Sequence, residues 1–383
     1  MTEAARPGGH TSPPNPPRVR LVDVAREAGL SKTTVSAALN GTGRLSPAVR
    51  ERVRETARRM GYRPNATARQ LRAGRARLIG YVVGEFAGAP WTFLESPYFA
   101  QLTSATAAAA LRRGYALVLL PSGSLQQEWG DLPLDAVIVA DPVADDRIVE
   151  DLLAARIPVF SDRSVEGRPG AHWVDVDAAR AVREVLDHLA GQGARRPAMV
   201  LPDSTTGFHA GALAGYRGWC AEHGVPERTG LAGEIGNGPV VRAVEAVLAG
   251  GGDRTGGAPD PAGGAAPASG AAGRPDALPA EAAGRPDALL VVAEASPPLV
   301  LDAARRHGYD VPGDLLVVCV SEDETAAHTV PPVTTLSLRP REIAEAGIEL
   351  LVAALEQGRE EPSGVLVPTS LEVRASSLRP DAG

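Results

Sequence analysis

The stretch LVDVAREAGLSKTTVSAAL, residues 21–39, decides the reading of this chain. Leu21, Val24, Ala25 and Ala28 recur at helical spacing and predict a first helix over 21–28. Gly29 follows, and without a β-carbon it enters the left-handed backbone of a sharp turn at no steric cost. Ser31 can accept a hydrogen bond from the free N–H groups of a second helix, KTTVSAAL, and so cap it. Downstream, Ser46-Pro47 repeats the start signal, a capping residue followed by the residue favoured at the first helical position. A third helix is expected to run to about Met60, with Val49, Val53, Ala57 and Met60 on its apolar face and Gly61 ending it.

Charge gives this segment its chemistry. The 383-residue chain carries a net charge of −7, yet residues 1–80 hold fifteen arginines and one lysine against five carboxylates, a surplus of +11. The remainder must therefore carry −18. A basic segment on an acidic body implies a polyanion as partner of the segment alone. The second helix offers Lys32, Thr33, Thr34, Ser36 and Ala37 near its exposed N-terminal end, the end a recognition helix turns towards base edges in the major groove. Lys32, the only lysine in the chain, can donate to guanine O6 and N7, and threonines can bond a base or touch a thymine methyl. Val35, Ala38 and Leu39 read as the face packed on the other two helices. Ser31, Asn40, Arg44, Ser46 and Tyr62 are the candidates for holding the DNA backbone, contacts that set register rather than sequence choice, and Leu21 is a further DNA-contact candidate.

From Leu78 the pattern changes to short apolar runs alternating with amphipathic segments. The runs are 78–84, 115–120, 135–140, 157–160, 197–201, 287–293 and 315–320. The helical segments are 99–113, 177–190, 208–223, 239–249 and 340–357. Such alternation predicts parallel sheets covered by helices on both faces, and some 300 residues of it suggest two lobes. Residues 250–286 are nearly all Gly, Ala, Pro and Asp and repeat GRPDAL at 273–278 and 284–289. They cannot bury enough surface to offset chain entropy and are expected to be a disordered insertion.

Other classes fit poorly. The seven histidines show no H-E-x-x-H spacing, no G-x-S-x-G elbow occurs, and Cys220 and Cys319 lie far apart. An enzyme is not expected, nor a cofactor or a metal site. The Pro-rich first twenty residues lack the apolar core of an export signal, and no apolar run is long enough to span a bilayer. A cytoplasmic, nucleoid-associated protein without membrane contact is expected. The remote alternative, a periplasmic solute receptor, would need an export signal and no basic N-terminal module.

Residues 19–83 closely resemble the N-terminal module of LacI/GalR-type bacterial repressors, through D-V-A-x-x-A-G-L-S, T-V-S, L-N-G, M-G-Y-x-P-N and A-R-x-L before L-I-G. The resemblance continues, less sharply, through SPYFAQLTSATAAAALRRGYALVLL, IPVFSDR, LAGYRGWCAEHGV, VPGDLLVVCV and PPVTTLSL. It implies an all-α helix-turn-helix domain at 19–62, a hinge helix and linker at 63–76 and a two-lobed periplasmic-binding-protein-like α/β domain at 78–377, with tails at 1–18 and 378–383. In the hinge it implies that Leu71 wedges into the minor groove and kinks the duplex, flanked by Asn65, Ala68, Arg69 and Arg72. Paired hinges imply a homodimer on a pseudo-palindromic double-stranded operator. Ala37 stands where several relatives carry a reading arginine, so their operator sequences do not transfer.

For the two-lobed domain the resemblance implies a small-molecule, sugar-like effector in the cleft, with Tyr98, Phe99, Asp162, Arg163 and Ser321 as candidate contacts. Four polar residues usual in that cleft are missing. Ala212 replaces an arginine, Ala293-Glu294 an Asn-Asp pair, and Ser321 an aspartate. Two readings stay open. Either the cleft binds a small effector, or it is degenerate, Asp162 and Arg163 stabilise the fold, and the regulator is constitutive or governed by a protein partner.

Overall fold

The computed structural model describes residues 19–62, 76–84, 92–121, 132–143, 146–164, 171–233, 236–250, 284–293, 296–357 and 363–380. The chain divides into two compact units, Met1–Ala76 and Arg77–Gly383. The tail at 1–18, the hinge residues Asn65, Ala68, Arg69, Leu71 and Arg72, most of the 250–286 segment and Glu294 lie outside the described residues.

Among its described residues the first unit has three helices: α1 Leu21–Ala28, α2 Lys32–Asn40 and α3 Pro47–Arg59. Each start and stop has a local cause. Gly29 ends α1 at φ 64°, and its N–H reaches back to the carbonyls of Ala25 and Arg26. Ser31 Oγ accepts from Thr34 N–H at 3.0 Å, and Ser46 Oγ from Val49 N–H at 3.4 Å ahead of Pro47. Val24, Val35, Ala38 and Val53 are fully buried, with Ala25 and Ala57 beside them. Val49 and Met60 are only half-buried, and Thr56 shares the inward face of α3.

The second unit holds two six-stranded sheets. Sheet one comprises β1 Leu78–Val83, β2 Ala116–Leu119, β3 Ala136–Ala140, β4 Val159–Ser161 and β5 Ala171–Asp175, joined late by β11 Gly364–Leu366 in the order β11-β5-β4-β3-β1-β2. Sheet two comprises β6 Pro197–Pro202, β7 Thr229–Ala232, β8 Ala288–Val291, β9 Leu316–Val320, β10 Thr334–Ser337 and β12 Ser370–Glu372 in the order β12-β10-β9-β8-β6-β7. All described pairings between these strands are parallel except β10 with β12. Helices α4 Pro97–Arg112 and α5 Arg147–Ala154 belong to the first lobe, and α7 Gly207–His223, α8 Asn237–Leu248 and α9 Pro297–Arg306 to the second.

The chain crosses between lobes after β5, through α6 Ala178–Gly191, after β10, through α10 Pro340–Gln357, and between β11 and β12. Helix α10 follows a second-lobe strand yet packs on the first lobe. There Gly347 faces Phe160 of β4 so closely that any β-carbon would overlap the ring. One apolar core consequently draws residues from both lobes, among them Tyr81, Leu102, Leu186, Met199, Tyr216 and Ile348.

Strands β5, β7, β10, β11 and β12 and helices α5 and α9 have no counterpart in the sequence expectation. The strands are three to five residues long, and β11 and β12 are largely exposed, so neither length nor alternation marks them.

Candidate functional site

The candidate recognition face is built on α2. Lys32 and Thr33 are exposed at its N-terminal end, while Val35 and Ala38 turn inward. Thr34 is half-buried, and its hydroxyl lies 2.8 Å from Ser31 Oγ. The expectation that Ser36 is exposed needs correction. Ser36 is buried, and Asn40 Nδ2 donates to its carbonyl at 2.7 Å and its hydroxyl at 3.3 Å. Position 36 lies one residue after Val35, close enough to the inward face of the helix to be covered. Ala37 is half-buried, Asn40, Arg44 and Ser46 are exposed, and Leu21 and Tyr62 pack at the edge of the small core. The α2–α3 loop is tied by Arg50, whose guanidinium donates to Gly43 O at 2.8 Å and Leu45 O at 3.4 Å. Arg59 pairs with Glu27 at 2.9 Å between α3 and α1.

The second candidate site lies between the lobes. Tyr98 and Phe99 occupy the first turn of α4, which Ser96 caps and Pro97 begins. Both are buried, with rings 5.1 Å apart in an edge-on contact. Tyr98 O–H donates to Asp162 Oδ2 at 2.9 Å and accepts from Arg163 Nη1 at 3.0 Å. Asp141 N–H donates to Asp162 Oδ1 at 2.6 Å. Arg163 pairs with Asp141 at 3.2 Å, Asp162 at 3.5 Å and Asp175 at 3.9 Å. Ser321 is buried, and its Oγ accepts from Asp323 N–H at 3.1 Å. Ala212 and Ala293 are buried among apolar residues.

Burial governs the charges here. It pushes the Asp162 carboxyl above the usual range, against the pull of the Arg163 charge. Burial also raises the Asp175 carboxyl and the Tyr98 phenol. Removing Arg163 would strand carboxylates that are almost completely inaccessible to water. Arg163→Ala is therefore expected to destabilise the second unit by about 3–5 kcal/mol, read from its urea midpoint. A change no larger than that at an exposed ion pair would contradict the arrangement.

Sequence reasoning missed Asp141, Thr206, Phe208 and His209. A signal existed: Asp141 directly follows β3, and Thr206–His209 follow β6. The carboxyl ends of parallel strands are where α/β clefts form. Thr206 pairs with Val143 in an isolated antiparallel bridge between the lobes, and its hydroxyl lies 2.8 Å from His209 Nδ1. Burial drives the His209 imidazole from 6.5 down to about 4, and the Arg163 charge adds to the shift. Below pH 6.5 the unfolded chain takes up a proton that the folded one refuses. Stability from this group is thus complete above pH 6.5 and declines as pH falls towards about 4, by roughly 3 kcal/mol in all. In His209→Gln the acid limb of stability against pH should flatten by that amount, and an unchanged limb would refute the assignment.

Among the described residues no group of three or more His, Cys, Asp or Glu could hold a metal ion. No helix among them is long and apolar enough to cross a membrane.

A capped helix-turn-helix joined to a two-lobed, mainly parallel α/β domain with a buried polar cluster at its strand ends defines a regulator that couples a nucleic-acid reader to a binding-protein scaffold. Residues 20–65 match the model of bacterial regulatory proteins of the lacI family, and residues 186–377, half of the chain, match that of a periplasmic binding protein-like domain. Catabolite control protein A of Priestia megaterium is 24% identical over 371 residues, spanning 94% of this chain and 99% of that protein. The HTH-type transcriptional regulator CelR of Thermobifida fusca is 27% identical over 370 residues, spanning 94% and 98%. The lac repressor dimer bound to operator and the anti-inducer ONPF has a similar fold, with a TM-score of 0.71 at 20% identity over 94% of this chain and 100% of that one. The CelR–cellobiose complex follows at 0.62 and 23%, with the same coverage. The chain belongs to the lacI family of bacterial regulatory proteins.

Proposed function

We propose that this regulator acts as a cytoplasmic, nucleoid-associated repressor, bound as a homodimer to a pseudo-palindromic operator. The observation that carries this is an exposed Lys32–Thr33 pair at the N-terminal end of a capped second helix, within a segment of surplus positive charge. Lys32 reads a guanine edge, Thr33 and Thr34 a neighbouring base, and Ala37 the groove wall. Ser36 acts through Asn40, its hydrogen-bond partner. Leu21, Ser31, Asn40, Arg44, Ser46 and Tyr62 hold backbone phosphates and sugars. In the hinge Leu71 is the minor-groove wedge, with Asn65, Ala68, Arg69 and Arg72 alongside it. The lac repressor structure, a dimer on its operator, supports this arrangement.

The interlobe cleft is the place for a small, sugar-like effector, as supported by the cellobiose bound in the CelR structure. Its walls would be Tyr98, Phe99, Asp162, Arg163 and Ser321. The mutual satisfaction of Tyr98, Asp162 and Arg163 favours these three as wall-builders rather than free donors awaiting a ligand.

The test is selection of bound duplexes from a random pool by wild type and Lys32→Ala. A palindromic consensus is expected. Lys32→Ala should lose preference at one base pair in each half-site, at a cost of about 1–3 kcal/mol. Failure to enrich any sequence would overturn the proposal, and an unchanged preference profile would remove Lys32 as a reader.

A further inference from the structure

One contact in the cleft joins the lobes through chemistry that neither DNA binding nor effector recognition requires. Arg163 follows β4 in the first lobe, and its guanidinium carbon lies 5.2 Å from the centre of the Phe208 ring, in the first turn of α7 of the second lobe. The same carbon lies 5.3 Å from the Tyr98 ring of the first lobe. Arg163 is 3% exposed and Phe208 6%, so little water competes for the cation. The carboxylates that hold Arg163, from Asp141, Asp162 and Asp175, all belong to the first lobe. Two further links span the lobes: the Val143–Thr206 bridge and a hydrogen bond of 3.1 Å from Gln101 Nε2 to Glu322 O.

We propose that Arg163 and Phe208 form an interlobe clasp that holds the cleft shut without any small molecule. A guanidinium suits this task, because its edge can satisfy carboxylates while its flat face lies on an aromatic ring. Ion pairs stay on one side of the seam and the cation–ring contact crosses it. Opening the lobes therefore leaves the buried charges paired and breaks the contact with Phe208, together with the Val143–Thr206 bridge and the Gln101–Glu322 hydrogen bond. The consequence for regulation rests on the effector reading above. A molecule entering the cleft must first part the guanidinium from Phe208, and its apparent affinity is lowered by the small fraction of open protein.

The clasp is tested without ligand or DNA, by amide hydrogen exchange on the full chain, so that failure to find an effector leaves the outcome intact. In Phe208→Leu, residues 141–143 and 206–209 are expected to exchange on the order of tenfold faster than in wild type. Strands β3 and β6 should keep their protection. Phe208→Tyr, which retains the ring face, should exchange as wild type does. Arg163→Lys keeps the charge near Asp141 and Asp162 but loses the flat face, and should accelerate the same residues. It is the deciding variant should leucine at 208 loosen the strands as well. Wild-type exchange in both Phe208→Leu and Arg163→Lys, or equal acceleration in Phe208→Leu and Phe208→Tyr, would overturn the clasp. A panel of mono- and disaccharides titrated into Phe208→Leu tests the effector reading separately.

Discussion

Val35→Asp is expected to abolish duplex binding by unfolding the first unit while leaving the two-lobed unit folded. Val35 is fully buried in a core whose other fully buried members are Val24, Ala38 and Val53. An unpaired polar group in such a place costs several kcal/mol, about 2–7 for a hydroxyl or amide and more for a charge. A unit this small holds roughly 2–7 kcal/mol in total, at about 0.05–0.15 kcal/mol per residue. The penalty therefore exceeds or matches the whole stability of the three helices. The second unit is a separate compact body with its own core, so its thermal transition should keep its midpoint. The expected record is loss of duplex binding, partial loss of helical circular dichroism and one remaining cooperative transition. Binding at near wild-type strength in Val35→Asp would remove α2 from the recognition role.

Affinity for the selected duplex is expected to fall by roughly a thousand- to a hundred-thousand-fold between about 50 and 200 mM salt, the range for a protein that neutralises roughly 6–10 phosphates. The cause is release of condensed counterions when Arg and Lys side chains replace them. The surplus of +11 in residues 1–80, doubled in a dimer, supplies ample cations. The body carries −18 per chain, which opposes DNA at long range. Salt screens that repulsion within a Debye length of about 10 Å at 0.1 M, whereas phosphate contacts act at hydrogen-bond range. Attraction at the interface therefore dominates the slope. Arg44→Ala should lower the slope by about one for every phosphate it leaves without a cation, uniformly across sequences. A flat salt response would count against the docking of α2 on a duplex, whatever the sequence bound.

What can be read from the chain depends on how local the physics is. Ser31, Gly29 and Ser46-Pro47 act within one helical turn, and α1 ends while α2 and α3 begin where they place them. The fully buried strands Ala136–Ala140 and Leu316–Val320 are visible as apolar runs. Strand β11, three exposed residues, has no such pattern, because it exists through pairing with β5 across the sheet edge. The site divides in the same way. Lys32 stands out as the lone lysine at a helix start. The burial of Ser36 depends on packing, and the Phe208–Arg163 contact depends on two residues 45 positions apart meeting across two lobes.

Neighbouring residues alone are enough to specify the two-unit organisation, the three capped helices, the alternation of parallel strands and helices, and the family, since caps, periodicity and charge balance act over short stretches of chain. Long-range packing was needed to establish which strands share a sheet, that α10 returns to the first lobe, and that Asp162 and Arg163 are satisfied by Tyr98, Asp141 and Asp175 rather than left open in the cleft. Those outcomes follow from contacts between residues far apart in the chain, where burial and exclusion of water set each partner, and no local pattern encodes them.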